Sequence, residues 1–146
     1  MTIDDLVAQQ EIRDVLIRYT RGIDRMDTEL VLSCYWPGAF DDHGAFQGTA
    51  EDFAVWVQDV LAYFDVTMHF IGNQLVEFDD ADTAWVETYG MSVHRSASDE
   101  PHLNLTTGFR FVDRFERRGA RLVAPAPARR LVAAARTPST RSTGPG

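Results

Sequence analysis

The sequence has 146 residues, of which 45% are hydrophobic and 11% aromatic, and its net charge is −8. This length predicts one domain whose core needs no disulfide or metal staple, and the negative charge argues against nucleic acid or an anionic membrane as the main partner. The sequence shows neither a signal peptide nor an apolar run long enough to span a membrane, and its one cysteine, Cys34, fits a reducing compartment, so we expect a cytoplasmic protein.

Three helices are predicted in the first half of the chain. Apolar side chains recur at helical spacing from residue 3 to about residue 25. A short second helix is expected to begin at the capping residues Asp27-Thr28 and to end near residue 35. The sequence Thr49-Ala50-Glu51-Asp52 resembles a capping box and predicts a third helix that ends near residue 64.

Strands dominate the second half. Residues 39–46 predict a short strand or hairpin, and residues 66–78, 83–94 and 102–115 predict a meander of long strands. Three helices followed by such a meander predict an α+β fold. We expect a curved antiparallel sheet wrapped around the three N-terminal helices, forming a cone that is open at one end.

One histidine stands out on the first long strand. Strand alternation predicts that His69, Ile71, Asn73 and Leu75 share one side, facing the cavity. A carboxylate at the end of the first helix, Asp24, could orient this imidazole. A hydrogen-bonded core histidine is the ordinary alternative for such a position.

Other polar clusters give weaker signals. Asp41, Asp42 and His43 could form a second polar cluster at the mouth of the cone, although an Asp-Asp-His-Gly sequence is usually turn chemistry. His69, His94 and His102 lack the short spacing of metal ligands. Neither a phosphate-binding glycine loop nor a serine nucleophile motif is present, so we predict no metal and no cofactor.

The order of these motifs resembles a known family. Four motifs follow one another: a first helix ending Arg-Tyr-x-x-x-Ile-Asp, then Cys-Tyr-Trp-Pro-Gly-Ala, Asp-Asp-His-Gly-x-Phe-x-Gly, and Thr-Met-His-Phe-Ile-Gly-Asn. This order is similar to that of the SnoaL-like branch of the nuclear-transport-factor-two-like superfamily. The resemblance covers about residues 4–118. It implies a cone fold that commonly forms homodimers or homotrimers, and the superfamily includes dehydratases, a dehydrochlorinase, isomerases, polyketide cyclases and binding modules.

The resemblance also implies site residues. In the dehydratase and dehydrochlorinase members an aspartate and a histidine match Asp24 and His69, and in bile acid 7α-dehydratase a tyrosine matches Tyr19. The dehydrochlorinase carries a lysine on the first helix, whereas this chain has no lysine at all. We therefore predict Asp24, His69 and Tyr19 as catalytic residues, and a substrate-binding set of Tyr35, Trp36, Phe40, Trp56, Phe64, Ile71 and Asn73.

Together these features predict a cofactor-free lyase acting on a small hydrophobic ring substrate. His69 would remove a carbon-bound proton, Asp24 would orient it, and Tyr19 or Tyr35 would donate to the leaving group or to a carbonyl. One alternative is an isomerase or polyketide cyclase in the same pocket, in which Asp42 or Glu87 would matter more. A second is a small-molecule binding module without turnover.

The C-terminus has a different composition. Up to Phe109 the chain has 5 Arg against 20 Asp and Glu, and from Arg110 onward it has 9 Arg against 2 acids. We predict a cone domain over residues 1–118 and an atypical Arg/Ala/Pro-rich segment over residues 119–146. This segment is either a last strand altered by a shift of reading frame or a disordered tail. Leu122-Val123 and Leu131-Val132 could supply a short edge strand.

Overall fold

The computed structural model describes residues 1–96, 104–123 and 129–138. Three helices and seven strands follow one another in the order α1 (Ile3–Asp24), α2 (Thr28–Leu32), β1 (Phe40–Asp42), β2 (Gln47–Thr49), α3 (Ala50–Leu61), β3 (Val66–Phe78), β4 (Thr83–Arg95), β5 (Leu105–Arg118), β6 (Arg121–Val123) and β7 (Arg129–Pro138). The α+β prediction is confirmed: three helices pack against one curved, mainly antiparallel sheet. Within the described ranges, no helix is both long enough and apolar enough to cross a membrane.

The helix starts follow from capping residues. The Thr2 side chain accepts a hydrogen bond from the Asp5 N–H while the Asp5 side chain accepts one from the Thr2 N–H, which is a complete capping box. Thr49 caps α3 by accepting from the Asp52 N–H. Asp27 caps α2 by accepting from the Leu30 N–H at 2.9 Å.

The sheet has the order β2-β1-β7-β5-β4-β3, with β6 paired to β5. All neighbours are antiparallel except β1 and β7, which run parallel. Part of the predicted C-terminal segment, β7, therefore lies between β5 and β1. The boundary at residue 118 and the altered reading frame both stay predictions.

The core lies between the helices and the concave face of the sheet. Helix α1 buries Ile12, Val15 and Leu16, and α3 buries Phe53. On β4 the side chains of even-numbered residues point inward, and on β5 those of odd-numbered residues do. This alternation decides which residues of the two central strands can line a cavity.

Strand β3 departs from simple alternation. Ile71 pairs with Gly90 but Gln74 pairs with Thr88, so β3 has one extra residue, a β-bulge. The prediction that His69, Ile71, Asn73 and Leu75 share one side is therefore wrong beyond the bulge. Asn73 and Leu75 are exposed, and Gln74 takes the more buried position.

Candidate active site

A cavity of about 190 Å³ lies between the helices and the concave face of the sheet. Its lining is mostly apolar and includes Phe53, Trp56, Phe64, Phe109 and Phe111. Polar groups enter this lining at Tyr19, His43, His69, Ser92 and His94. An apolar pocket with a few convergent titratable groups is the usual form of a small-molecule site.

Asp24 and His69 form a tight pair at the edge of this cavity. Asp24 Oδ1 lies 2.6 Å from His69 Nδ1, and Asp24 Oδ2 accepts from the His69 backbone N–H at 2.9 Å. The Asp24 carboxylate is therefore hydrogen-bonded to both the imidazole ring of His69 and the backbone of β3. Because the carboxylate accepts a hydrogen bond from Nδ1–H, the neutral ring keeps a lone pair on Nε2.

A second histidine–aspartate pair faces the same cavity. His43 Nδ1 makes a very short contact with Asp41 Oδ1, and its Nε2 lies 3.1 Å from the Tyr19 hydroxyl. Asp41 is fully buried, and its Oδ2 accepts from the Tyr35 hydroxyl at 2.7 Å. A buried carboxylate needs such donors, because an unsolvated charge is otherwise very costly.

The third histidine of the cavity, His94, lies between two hydroxyl groups. Thr67 Oγ1 is 2.5 Å from its Nδ1, and Ser92 Oγ is 3.1 Å from its Nε2. Burial lowers the pKa of His94 to about 4, with a further contribution from the charge of His69. His94 is therefore neutral at neutral pH and serves as a hydrogen-bonding group.

The predicted catalytic residues lie close together, and only part of the predicted binding set joins them. Asp24 holds His69 in the cavity wall, and Tyr19 lines the same cavity. Of the predicted binding residues, Trp56 and Phe64 line it as well.

The other predicted binding residues lie elsewhere. Tyr35 contacts Asp41 in the core, and Trp36 stacks under the guanidinium of Arg118 at 4.6 Å. Phe40 is exposed, Ile71 is half-buried outside the described lining, and the bulge turns Asn73 away.

Several cavity residues were not predicted as parts of the site, among them Ser92 and His94, and His43 was predicted only as part of a second polar cluster at the mouth of the cone. Ser92 and His94 are two residues apart on β4, with the inward parity of Val86. His43 directly follows β1 and is two residues from Asp41, whose carboxylate its ring contacts. That spacing is the available signal for His43, although its Asp-Asp-His-Gly sequence otherwise indicates a turn. His102 lies outside the described residues.

Comparison with known proteins supports the fold. A search of curated protein sequences gives no match. A candidate scytalone dehydratase from Novosphingobium aromaticivorans is 17% identical, with a TM-score of 0.82 over 97% of this chain and 93% of its own. Hexachlorocyclohexane dehydrochlorinase LinA-type3 from Novosphingobium barchaimii is 16% identical, with a TM-score of 0.77 over 98% and 99%.

A further similar structure is that of a Mycobacterium tuberculosis protein of unknown function, which is 18% identical, with a TM-score of 0.74 over 94% of this chain and 79% of its own. At such identities the structures show a shared fold alone. The sequence profile of the SnoaL-like domain matches residues 4–123, which is most of the chain. The chain therefore belongs to the SnoaL-like domain family, within the nuclear-transport-factor-two-like superfamily.

Proposed function

We propose that the chain is a cofactor-free lyase that eliminates a hydroxyl group or a halide from a small hydrophobic ring substrate. The observation that carries this proposal is the 2.6 Å contact between Asp24 Oδ1 and His69 Nδ1 at the wall of an apolar cavity. Elimination needs a base that removes a proton from carbon. A neutral imidazole with its tautomer fixed by a carboxylate is suited to that task.

The side chains around His69 favour its role as the base. When His69 Nε2 takes the substrate proton, the ring becomes an imidazolium, which the Asp24 carboxylate stabilises. His94, whose ring centroid lies 5.6 Å from that of His69, is neutral and adds no repulsion. Its two hydroxyl partners keep its hydrogen bonds satisfied without a charge.

The substrate class follows from the lining. The wall is mainly apolar and includes several aromatic side chains, and the cavity volume of about 190 Å³ suits a small ring compound. The similar structures include proteins described as a scytalone dehydratase and a hexachlorocyclohexane dehydrochlorinase. Both names describe elimination from ring compounds, which agrees with this proposal.

The isomerase alternative receives less support. Asp42 accepts hydrogen bonds from the Gly44 N–H and the Gln47 side chain within the turn. Glu87 pairs with Arg110 at 3.3 Å and has the opposite strand parity to the inward-facing Val86. Neither carboxylate is part of the described cavity lining, so His69 is the better base.

Turnover of simple substrates tests the lyase proposal. We would incubate the protein with β-acetoxycyclohexanone, β-hydroxycyclohexanone and γ-hexachlorocyclohexane, following enone absorbance and chloride release. His69→Gln should lower the rate by about 10²–10⁴-fold, the usual contribution of a positioned base. Asp59→Asn, which removes an exposed carboxylate on α3, serves as the matched control and should leave the rate unchanged.

Two results would contradict the proposal. Equal rates for the wild type and His69→Gln would remove the imidazole from the chemistry. Tight binding of the ring compounds without any product would favour the binding module instead.

We also propose that a second copy of this chain covers the outer face of the sheet. Phe70 and Met91 are paired across β3 and β4 and are 57% and 50% exposed. Glu87 and Arg110 lie on the same outer face and pair with each other at 3.3 Å, so this face presents a neutralised ion pair as well as apolar side chains to a second copy. Analytical ultracentrifugation should show an oligomer that Phe70→Asp dissociates; a monomeric wild type would refute this.

A further inference from the structure

The second histidine–aspartate pair is not needed by a base mechanism that uses His69 alone. Yet it is one of the most completely buried polar arrangements in the described structure, with Asp41 0% exposed and Tyr19 3% exposed. The chain of contacts runs from Asp41 to His43 and then to the Tyr19 hydroxyl, and both His43 and Tyr19 are among the residues that line the cavity. A carboxylate, an imidazole and a hydroxyl in this order can carry a proton to or from the hydroxyl.

We propose that Asp41, His43 and Tyr19 form a proton relay whose last member, Tyr19, protonates the leaving group. This inference rests on the proposed lyase function and deepens it, because it selects the leaving group. Hydroxide leaves carbon poorly and needs a proton as the bond breaks, whereas a halide leaves as a stable anion. A dedicated acid in the wall therefore indicates an alcohol substrate and a dehydration.

The charge of the wall supports the same choice. A departing halide would be received best by a cation, but none of the described residues that line the cavity is Arg, the chain has no Lys, and in this relay the proton of His43 passes to Tyr19. Tyr19 supplies a neutral acid instead. We therefore assign the substrate to β-hydroxy carbonyl compounds with an apolar ring.

The reaction balances through two histidines. His69 Nε2 takes the proton from carbon, and the electrons of that C–H bond form the C=C bond. The C–O bond breaks with its electrons on oxygen, and that oxygen receives the Tyr19 hydroxyl proton to become water. Tyr19 regains a proton from the Nε2–H of protonated His43, and exchange with solvent later returns the proton from His69 to His43.

The surroundings of His43 allow its ring to hold a proton and to release it. Its Nδ1–H faces the Asp41 carboxylate on β1, and its Nε2 faces the Tyr19 hydroxyl on α1. Phe53 of α3 and Phe111 of β5 pack against its ring, with ring centroids at 4.2 Å and 5.4 Å. Asp41 stabilises the protonated ring at Nδ1, and the proton on Nε2 can leave toward Tyr19.

A pair of substrates that differ in the leaving group alone tests the relay. β-Hydroxycyclohexanone needs an acid, but β-acetoxycyclohexanone loses acetate without one. Tyr19→Phe, which removes only the hydroxyl group, should lower kcat for the hydroxy compound by about 10²–10⁴-fold and should change kcat for the acetoxy compound less than about threefold. His69→Gln should lower both rates.

His43 acts through Tyr19 and is a positioning residue, so its test uses the same pair of substrates. His43→Gln should lower kcat for the hydroxy compound and change kcat for the acetoxy compound less than about threefold. A merely structural role of His43 would instead slow both substrates alike, and that result would remove His43 from the relay.

The outcomes separate the two proposals. If Tyr19→Phe slows both substrates equally, or neither, the relay is refuted while elimination by His69 stands. If the wild type converts neither substrate, the lyase proposal fails and the relay with it.

Discussion

The two histidine–aspartate pairs of the cavity differ in sequence distance, burial and remaining hydrogen-bonding capacity. Asp24 and His69 are 45 residues apart and join a helix end to a strand, and the Asp24 side chain is 22% exposed. Asp41 and His43 are two residues apart on one extended segment, and Asp41 is fully buried. The described hydrogen bonds of His69 use its Nδ1 and its backbone N–H, whereas those of His43 use Nδ1 and also Nε2, which lies 3.1 Å from the Tyr19 hydroxyl. Under the two proposals, a similar pair acts as a base in one place and as part of a proton relay in the other.

The largest effect on stability should come from the buried carboxylate. Asp41→Asn removes the charge that receives the Tyr35 hydroxyl and the His43 ring, so the free energy of unfolding should fall by about 3–5 kcal/mol. Asp24→Asn, at a partly solvated site, should cost about 1–2 kcal/mol. Urea denaturation of both variants measures the difference. Equal losses of unfolding free energy in the two variants would show that the burial of the carboxylate does not distinguish the two pairs.

A smaller effect is expected where the cavity wall meets the sheet. A Cβ atom on Gly90 would lie 2.4 Å from the ring of Phe109, whose centroid is 6.2 Å from that of His69. Gly90→Ala should displace this ring and cost about 1–3 kcal/mol through overpacking. Gly108→Ala is the matched control, since its Cβ would meet nothing within 4 Å. Thermal unfolding would contradict the prediction if both variants melted together.

The smallest effect on stability is expected from His94, which has no hydrogen-bonded carboxylate among the described contacts. The pKa of His94 falls from 6.5 to about 4 in the folded chain, so between these pH values the unfolded chain binds a proton that the folded chain does not. Stability should therefore fall as the pH drops from 6.5 toward 4. Relative to His94→Gln, the wild type should lose about 1 kcal/mol more between pH 7 and pH 5, with solvent contact reducing the ideal value. A parallel pH dependence of unfolding in the two proteins would contradict this.

Much of the fold could be predicted because its signals are local. Strand β3 matches its predicted range of 66–78, since alternation and the flanking turn define it. Helix α2 ends at Leu32, before the predicted residue 35, because Cys34 and Tyr35 donate backbone hydrogen bonds to residues three positions earlier, which tightens the chain into turns. Helix α3 likewise ends at Leu61, short of the predicted residue 64.

The parts that could not be predicted depend on how distant segments meet. The bulge at Ile71 to Gln74 arises from the pairing of β3 with β4, and nothing in the β3 sequence alone requires it. His43 lies in the cavity because its hairpin packs beside Phe53 of α3 and Phe111 of β5. Residue types only suggest the pairing of Asp24 with His69, and the family resemblance gives that pairing its weight. Spacing within one segment cannot locate it.

Asp24 also accepts a hydrogen bond from the backbone N–H of His69, and so the carboxylate that is proposed to orient the base also joins the end of α1 to β3. Any motion that parts the helix from the strand releases the imidazole at the same moment. On heating, loss of activity and loss of the α1–β3 contact should therefore be a single event. A substitution that weakens the α1–β3 contact in order to admit a larger substrate would therefore also release His69 from Asp24. The cavity would have to be enlarged at its aromatic side chains instead.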